Sequence, residues 1–218
     1  MGGVIITERE EEKILGVTVQ ADLKWESHLQ KLKADLNYRI GVLNRLRHVL
    51  RKHELKLIME GLVNSKIRYC VSVYGAESLR VNDADVTKKS MHDLQVLQND
   101  AMRIVTNHKR SEHIHITDML HETRCLSVNQ ILAYTMLLEN WKASNFKVPV
   151  LGNLLIECTL SDRTLRSETA RLVRPCLSEA YSLASTKLWN LASSRFRTTN
   201  LLSIAKIEAR NLIKTFPL

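Results

Sequence analysis

Glycine, proline and cysteine are scarce in this 218-residue chain, which has 7 Gly, 3 Pro and 4 Cys. So few turn-forming residues exclude a collagen, a turn-rich β-sandwich and a long disordered tail. The four cysteines are separated by 55, 33 and 18 residues and form no C-x-x-C pair, which is typical of neither a disulfide framework nor a zinc ribbon. We therefore predict a mainly α-helical globular protein of a reducing compartment, cytoplasmic or nuclear.

Long apolar runs are also missing. No stretch approaches the roughly 18 apolar residues that a membrane helix requires. The segment Glu8–Glu12 carries four glutamates where a signal peptide would have its apolar part. The sequence therefore predicts neither secretion nor a membrane partner.

The positive charge of the chain is unevenly distributed. With 32 Lys and Arg against 23 Asp and Glu, the net charge is +9. Residues 24–56 hold nine basic and three acidic residues, residues 159–218 hold ten and four, and residues 57–158 are neutral overall. Clustered cations are the usual footprint of a polyanion partner such as nucleic acid, although a basic face that only keeps a protein soluble has the same composition.

Apolar residues that recur every three or four positions predict the helices. The clearest pattern follows Trp25, where Ser27 and Gln30 also resemble a capping box. Further helices are predicted from about Glu54 to Gly75, over 94–105, after a second capping-box pattern at Ser127 and Gln130, and over 178–192 and 202–215. Residues 13–19 predict a short strand followed by a turn at 20–22.

These patterns predict four segments. Residues 1–24 form the short β element, 25–143 a helical bundle, 144–176 a linker that includes Pro149, Gly152 and Pro175, and 177–218 a helical tail. The fold class is therefore mainly α, with a short N-terminal β element.

One candidate nucleic-acid-binding surface lies on the first helix. A spacing of seven residues places Lys31, Tyr38, Arg45 and Lys52 on one stripe, facing away from the leucines. The cations would follow phosphates, and the ring of Tyr38 would stack on a base or sugar. An ordinary solvated helix face would have the same pattern.

No catalytic or metal-binding residue is predicted. The sequence contains no G-x-S-x-G, H-E-x-x-H or P-loop motif. Four histidines and a cysteine fall within 18 positions, but their spacing is looser than zinc sites require. These residues are His108, His113, His115, His121 and Cys125.

Several stretches resemble the region after the palm in the reverse transcriptases of non-LTR (LINE-type, Jockey-like) retrotransposons. They are KILGVTVQADLKWESHLQKLKADLNYRIGVLNRLRH, LIMEGLVNSKIRYCVSVYG and LQVLQNDAMRIVTN, followed near the C-terminus by Thr164–Pro175, STKLWN and LIKTF. Together these stretches cover most of the chain, and they occur in the same order as in the family. One departure is that Trp189-Asn190 is followed by Leu-Ala, whereas the family usually has Leu-Pro.

The resemblance implies a thumb over residues 25–143, preceded by the end of the palm. It implies that Ile14, Leu15, Gly16 and Val17 correspond to an element near the primer grip, and that the partner is an RNA or DNA template–primer duplex. An upstream palm domain is a second candidate partner. Polymerisation in this family needs an Asp-Asp pair that holds two Mg²⁺ ions, and no Asp-Asp dipeptide occurs here. We therefore expect no cofactor and no polymerase activity in this chain alone.

Two other functions stay open at this stage. The chain could be a decayed or domesticated helical module that binds another protein. It could also be a small metal-dependent enzyme that uses the cluster from His108 to Cys125.

Overall fold

The computed structural model describes residues 9–22, 24–79, 86–146 and 180–215. About three quarters of these residues are helical, and the only other regular structure among them is a two-stranded sheet near the N-terminus. The predicted fold class is confirmed.

The sheet is an antiparallel hairpin of β1 (Glu11–Ile14) and β2 (Val17–Gln20). Its register pairs Glu11 with Gln20 and Ile14 with Val17. Leu15 and Gly16 form the turn and both have positive φ, 47° and 85°, as a two-residue type I′ turn requires. The prediction of one strand over 13–19 was therefore wrong, because the turn falls in its middle.

Helix α1 (Glu26–Leu46) buries the apolar face that its periodicity predicted, including Leu29, Leu36 and Leu43. The predicted capping box at Ser27 was wrong, because the helix already begins at Glu26. Ser27 instead donates its amide to Gln20 Oε1 at 3.0 Å and its hydroxyl to Glu11 Oε2 at 2.5 Å. The hairpin therefore supplies the partners that a capping side chain would otherwise provide.

The predicted second helix is interrupted. It comprises α2 (Lys52–Met59), a π-helical turn (Glu60–Asn64), α3 (Ser65–Arg68) and, after a break, α4 (Val71–Gly75). Cys70 is left-handed at the break, with φ of 54°. Ile67 and Val71, four residues apart on either side of this break, are both buried.

Three longer elements complete the central bundle: α5 (Val86–Thr106), α6 (Ile116–Thr123) and α7 (Val128–Phe146). The second capping box is confirmed, because the Ser127 amide donates to Gln130 Oε1 at 3.1 Å and the Gln130 amide to Ser127 Oγ at 3.2 Å. Helix α7 continues to Phe146, past the predicted start of the linker at 144. The rest of that linker lies outside the described residues.

Three C-terminal helices pack on this bundle: α8 (Ala180–Leu191), α9 (Ser194–Thr198) and α10 (Leu202–Lys214). Two of them match the predicted helices, and the short α9 between them was not predicted. Trp189, Phe196 and Ile213 belong to the same buried cluster as the leucines of α1. The described helices therefore share one continuous core. None of them is both long and apolar enough to cross a lipid bilayer.

Candidate nucleic-acid interface

The four residues of the predicted stripe do not all lie on one helix. Lys31, Tyr38 and Arg45 are on α1, but α1 ends at Leu46 and Lys52 is the first residue of α2. The chain turns over residues 47–50, between the two helices. The placement of Lys52 on the first helix was therefore wrong.

Two of the four residues already have carboxylate partners. Lys31 Nζ lies 2.8 Å from Glu11 Oε1 of the hairpin, and Lys52 forms an ion pair with Glu122 of α6. Arg45 is exposed and has no ion pair with another described residue, and Tyr38 is 71% exposed. Only half of the stripe is thus available to a ligand without breaking an existing contact.

A denser set of cations surrounds the turn between α1 and α2, which we call the α1–α2 corner (residues 45–56). Its 12 residues include five Lys or Arg, two His and only one acidic residue, Glu54. Glu54 accepts the Arg51 amide at 2.8 Å and so caps the start of α2. Apart from Lys52, the corner cations have no carboxylate partner among the described residues. They are Arg45, Arg47, Arg51 and Lys56.

The corner concentrates charge that the predicted stripe would have spread along one face. All these cations are exposed except Lys56, which is half-buried. A turn displays consecutive residues in several directions, whereas a helix face displays only every third or fourth. The charge surplus of residues 24–56 was the signal for this site, but the seven-residue spacing selected only Arg45 and Lys52 from it.

The hairpin residues implied as primer-grip-like lie at its turn. Leu15 is 85% exposed, Ile14 is also exposed and Val17 is buried. The Tyr69 hydroxyl donates to the Leu15 carbonyl at 2.5 Å, and the Thr18 amide donates to His28 Nδ1 at 3.3 Å. The hairpin is thus fixed to α1 and to the residues after α3, with its apolar tip exposed.

An open groove of about 400 Å³ runs between this hairpin and α1. It is lined by Arg9, Lys13, Lys31 and Lys66 together with Glu11, Glu12 and Asp35. Three of these cations pair with the carboxylates: Arg9 with Glu12 at 3.0 Å, Lys31 with Glu11, and Lys66 with Asp35 at 3.9 Å. The near balance of charge makes this groove a weaker polyanion site than the corner.

The histidine and cysteine cluster does not assemble into a metal site. His108 contacts Glu112 at 2.9 Å and Glu122 at 3.1 Å, and these carboxylates raise its pKa. His115 caps α6 by accepting the Thr117 amide, whereas His113 and His121 are exposed. No group of three potential ligands suitable for a metal ion occurs within the described ranges.

Cys125 is also a poor nucleophile. Its thiol is buried and contacts Glu60 Oε1 at 3.3 Å, and burial raises its pKa to about 11. A reactive cysteine needs a depressed pKa and access to solvent. Cys125 therefore has a structural role.

Comparisons of the chain with protein-family models, curated proteins and solved structures gave no match.

Proposed function

We propose that this chain is a nucleic-acid-binding helical module corresponding to the thumb and tail of a non-LTR retrotransposon reverse transcriptase. Its partner is a template–primer duplex, held next to an upstream palm domain that supplies the polymerase chemistry and its Mg²⁺ ions. The resemblance over most of the sequence supports the family, and the helical fold agrees with it. Scattered cysteines without a C-x-x-C pair favour a cytoplasmic or nuclear location.

The α1–α2 corner carries the proposal. Four cations lie close together with no carboxylate partner among the described residues, so phosphate oxygens would add contacts without displacing a carboxylate. Each phosphate that a Lys or Arg neutralises releases condensed counterions, and this release drives much of protein–DNA affinity. Arginine is suited to the role because its planar guanidinium binds phosphate in bidentate fashion.

Tyr38 extends the surface along α1. It lies two helical turns before Arg45, about 10 Å along the axis, and its ring is mostly exposed. A ring at this distance reaches a sugar or an end base of a duplex whose phosphates lie at the corner. Its contribution is stacking, which depends less on salt than an ionic contact does.

A binding titration with charge-matched variants tests the proposal. The corner triple variant (Arg45→Ala, Arg47→Ala, Arg51→Ala) should bind a fluorescent RNA–DNA hybrid duplex at least ten-fold more weakly than wild type at 0.1 M salt. The control triple variant (Lys24→Ala, Lys89→Ala, Lys187→Ala) removes the same charge at exposed positions elsewhere and should bind within about two-fold of wild type. An equal loss of duplex affinity in both variants would show that binding depends on the overall charge of the protein and not on the corner.

A protein partner is the second candidate, and exposed apolar residues at the corner favour it. Val49 is 81% exposed, and Leu57 just beyond the corner is 70% exposed. Substituting both with Ser leaves every corner cation in place. Duplex binding should survive that change if nucleic acid is the partner, whereas an apolar protein contact would be lost.

A further inference from the structure

A second basic groove lies between α6, α7 and α10, and Glu60 and Arg68 also line it. Its volume is about 1380 Å³. Five Lys and Arg line it against one carboxylate, that of Glu60. These cations are Arg68, Arg124, Lys206, Arg210 and Lys214. The groove shares no residue with the corner. A ligand of this groove can therefore be tested separately from duplex binding at the corner.

Helix α10 supplies three of the five cations as a regular row. Ala205, Ala209 and Ile213 are buried on its inner face, which leaves Lys206, Arg210 and Lys214 exposed on successive turns. The rise of an α-helix separates neighbours in this row by about 6 Å along the axis. Gln130 Nε2 of α7 donates to the Ile213 carbonyl at 3.2 Å, which fixes α10 against the opposite wall.

The charges in the groove are largely unpaired. Glu60 is already engaged by Asn64 Nδ2 at 2.9 Å and lies 3.8 Å from Arg68 Nη2. The other four cations have no carboxylate partner among the described residues. Arg124 follows the end of α6 in a left-handed conformation, with φ of 54°, and lies in the wall formed by that helix.

The floor of the groove is apolar. It includes Leu126, Tyr134 and Leu138, all half-buried, and the buried Ile131. Tyr134 adds an aromatic ring one helical turn from Gln130 on α7. A ligand that fills the groove therefore presents anionic groups to both walls and flat or apolar groups to the floor.

From this arrangement we propose that the groove binds single-stranded nucleic acid. Its phosphates pair with the row on α10 and with Arg68 and Arg124, and its unpaired bases lie on the floor, with one stacked on Tyr134. Unstacked bases have apolar faces that bind aromatic rings regardless of sequence. A duplex keeps its bases inside and offers only phosphates and groove edges, so it would leave the floor unused.

An acidic amphipathic helix is the competing occupant, since it also combines carboxylates with apolar side chains. The guanidinium fork of the three arginines matches carboxylate and phosphate alike, so the arginines do not discriminate between the two occupants. A positively charged groove that also holds an aromatic ring is typical of single-strand binding sites. The ring of Tyr134 among these cations therefore favours the nucleic acid.

Fluorescence anisotropy of the full chain with a labelled 20-nucleotide oligo(dT) tests the inference. The groove triple variant (Lys206→Ala, Arg210→Ala, Lys214→Ala) should bind at least ten-fold more weakly than wild type. Its plot of log K against log salt should be shallower by about 2, since each lost contact contributes about 0.7 for a single strand. The control triple variant (Lys24→Ala, Lys89→Ala, Lys187→Ala) should bind within about two-fold of wild type.

Tyr134→Leu separates base stacking from charge. This change keeps an apolar floor but removes the ring, so it should lower oligo(dT) affinity about ten-fold with the salt slope unchanged. Unaltered circular dichroism and thermal melting would show that the variants still fold.

Three results would overturn the inference. The first is equal weakening by the groove and control triples. The second is oligo(dT) affinity that both the groove triple and Tyr134→Leu leave intact. The third is displacement of oligo(dT) by an acidic helical peptide at lower concentration than by unlabelled oligo(dT), which would make the groove a protein-binding site.

Discussion

Leu15 occupies the first position of the hairpin turn with positive φ, a conformation that costs most residues about 1 kcal/mol or more. Its side chain is almost fully exposed and therefore recovers little by burial. Asn-Gly is the preferred pair for a type I′ turn, whereas this chain has Leu-Gly. An exposed leucine in a strained position points to a role other than stability.

Leu15→Asn should therefore stabilise the hairpin by about 1 kcal/mol. Slower amide hydrogen exchange across β1 and β2 would measure the gain. Leu15→Ala is the control, because it shortens the side chain but keeps the unfavourable φ. If alanine slows exchange as much as asparagine does, backbone strain is not the cause.

We expect His28 to make docking of the hairpin sensitive to pH. Its Nδ1 accepts the Thr18 amide at 3.3 Å and its ring lies 5.2 Å from that of Tyr74. Burial, and then the charge of Lys31, lowers the pKa of His28 below its ordinary value near 6.5. Protonation would also convert the accepting nitrogen into a donor.

A group whose pKa is lower in the folded state binds fewer protons there than in the unfolded chain. The stability that His28 contributes is therefore complete above pH 6.5 and falls as the pH drops below it.

His108 acts in the opposite direction, because Glu112 and Glu122 raise its pKa. The stability that His108 contributes is present below pH 6.5 and disappears as the pH rises through the raised pKa of the folded state.

Comparing His28→Asn with wild type isolates the effect of His28. The free energy of unfolding should decrease less between pH 7.5 and pH 5.5 in the variant than in wild type, as measured by urea denaturation. His108 is present in both proteins, so its opposite contribution cancels. An identical pH dependence of the two proteins would rule out His28 as a titrating group in folding.

At the scale of elements, a buried polar network joins α5, the π-helical turn and the start of α7. Gln98 is fully buried and donates to Asn64 Oδ1 at 3.0 Å and to the Leu126 carbonyl at 2.9 Å. Gln95 accepts the Val128 amide at 2.7 Å, so a side chain of α5 satisfies the first turn of α7. The π turn directs Glu60 and Asn64 towards the same cluster.

Gln98→Leu should destabilise the protein by about 2 to 3 kcal/mol, because two buried acceptors lose their donor. Chemical denaturation measures this loss directly. Gln30→Leu on the exposed face of α1 is the matched control and should change stability by less than about 0.5 kcal/mol. A loss below 1 kcal/mol in Gln98→Leu would show that the network contributes little.

Elements whose stabilising contacts join residues a few positions apart could be predicted from the sequence. Elements that depend on contacts with distant segments could not. The capping box at Ser127 involves residues three apart and was read correctly, as was the apolar periodicity of α1, α5 and α10. The break at Cys70 was not predictable, because Tyr69 bonds to the hairpin and Ser72 Oγ bonds to Glu139 Oε1 at 2.9 Å on α7. The false capping box at Ser27 failed for the same reason, since its partners lie in the hairpin.

The candidate site was predictable in charge but not in shape. Counting charges located the surplus in residues 24–56, and the corner lies within that range. Helix α1 ends at Leu46 and α2 begins at Lys52, so a stripe drawn over an uninterrupted helix placed Lys52 wrongly. The groove beside α10 forms only because segments more than 70 residues apart pack together. A local sequence pattern carries no information on such packing, so the groove could not be predicted.

At the scale of the molecule, the sequence lacks the paired aspartates of a polymerase centre. Purified protein should therefore incorporate no nucleotide into a primed template with Mg²⁺ or Mn²⁺. A primer-extension assay with a no-enzyme control checks this. Incorporation above that control would show that the chain contains a catalytic centre of its own.

The salt dependence of duplex binding tests the central claim, nucleic-acid binding through the α1–α2 corner, most directly. The slope of log K against log salt should decrease in magnitude by about 0.9 for each removed phosphate contact, hence by about 3 in the Arg45→Ala, Arg47→Ala, Arg51→Ala variant. The control triple variant should keep the wild-type slope. A wild-type slope near zero, or the same slope in wild type and the corner variant, would contradict the account.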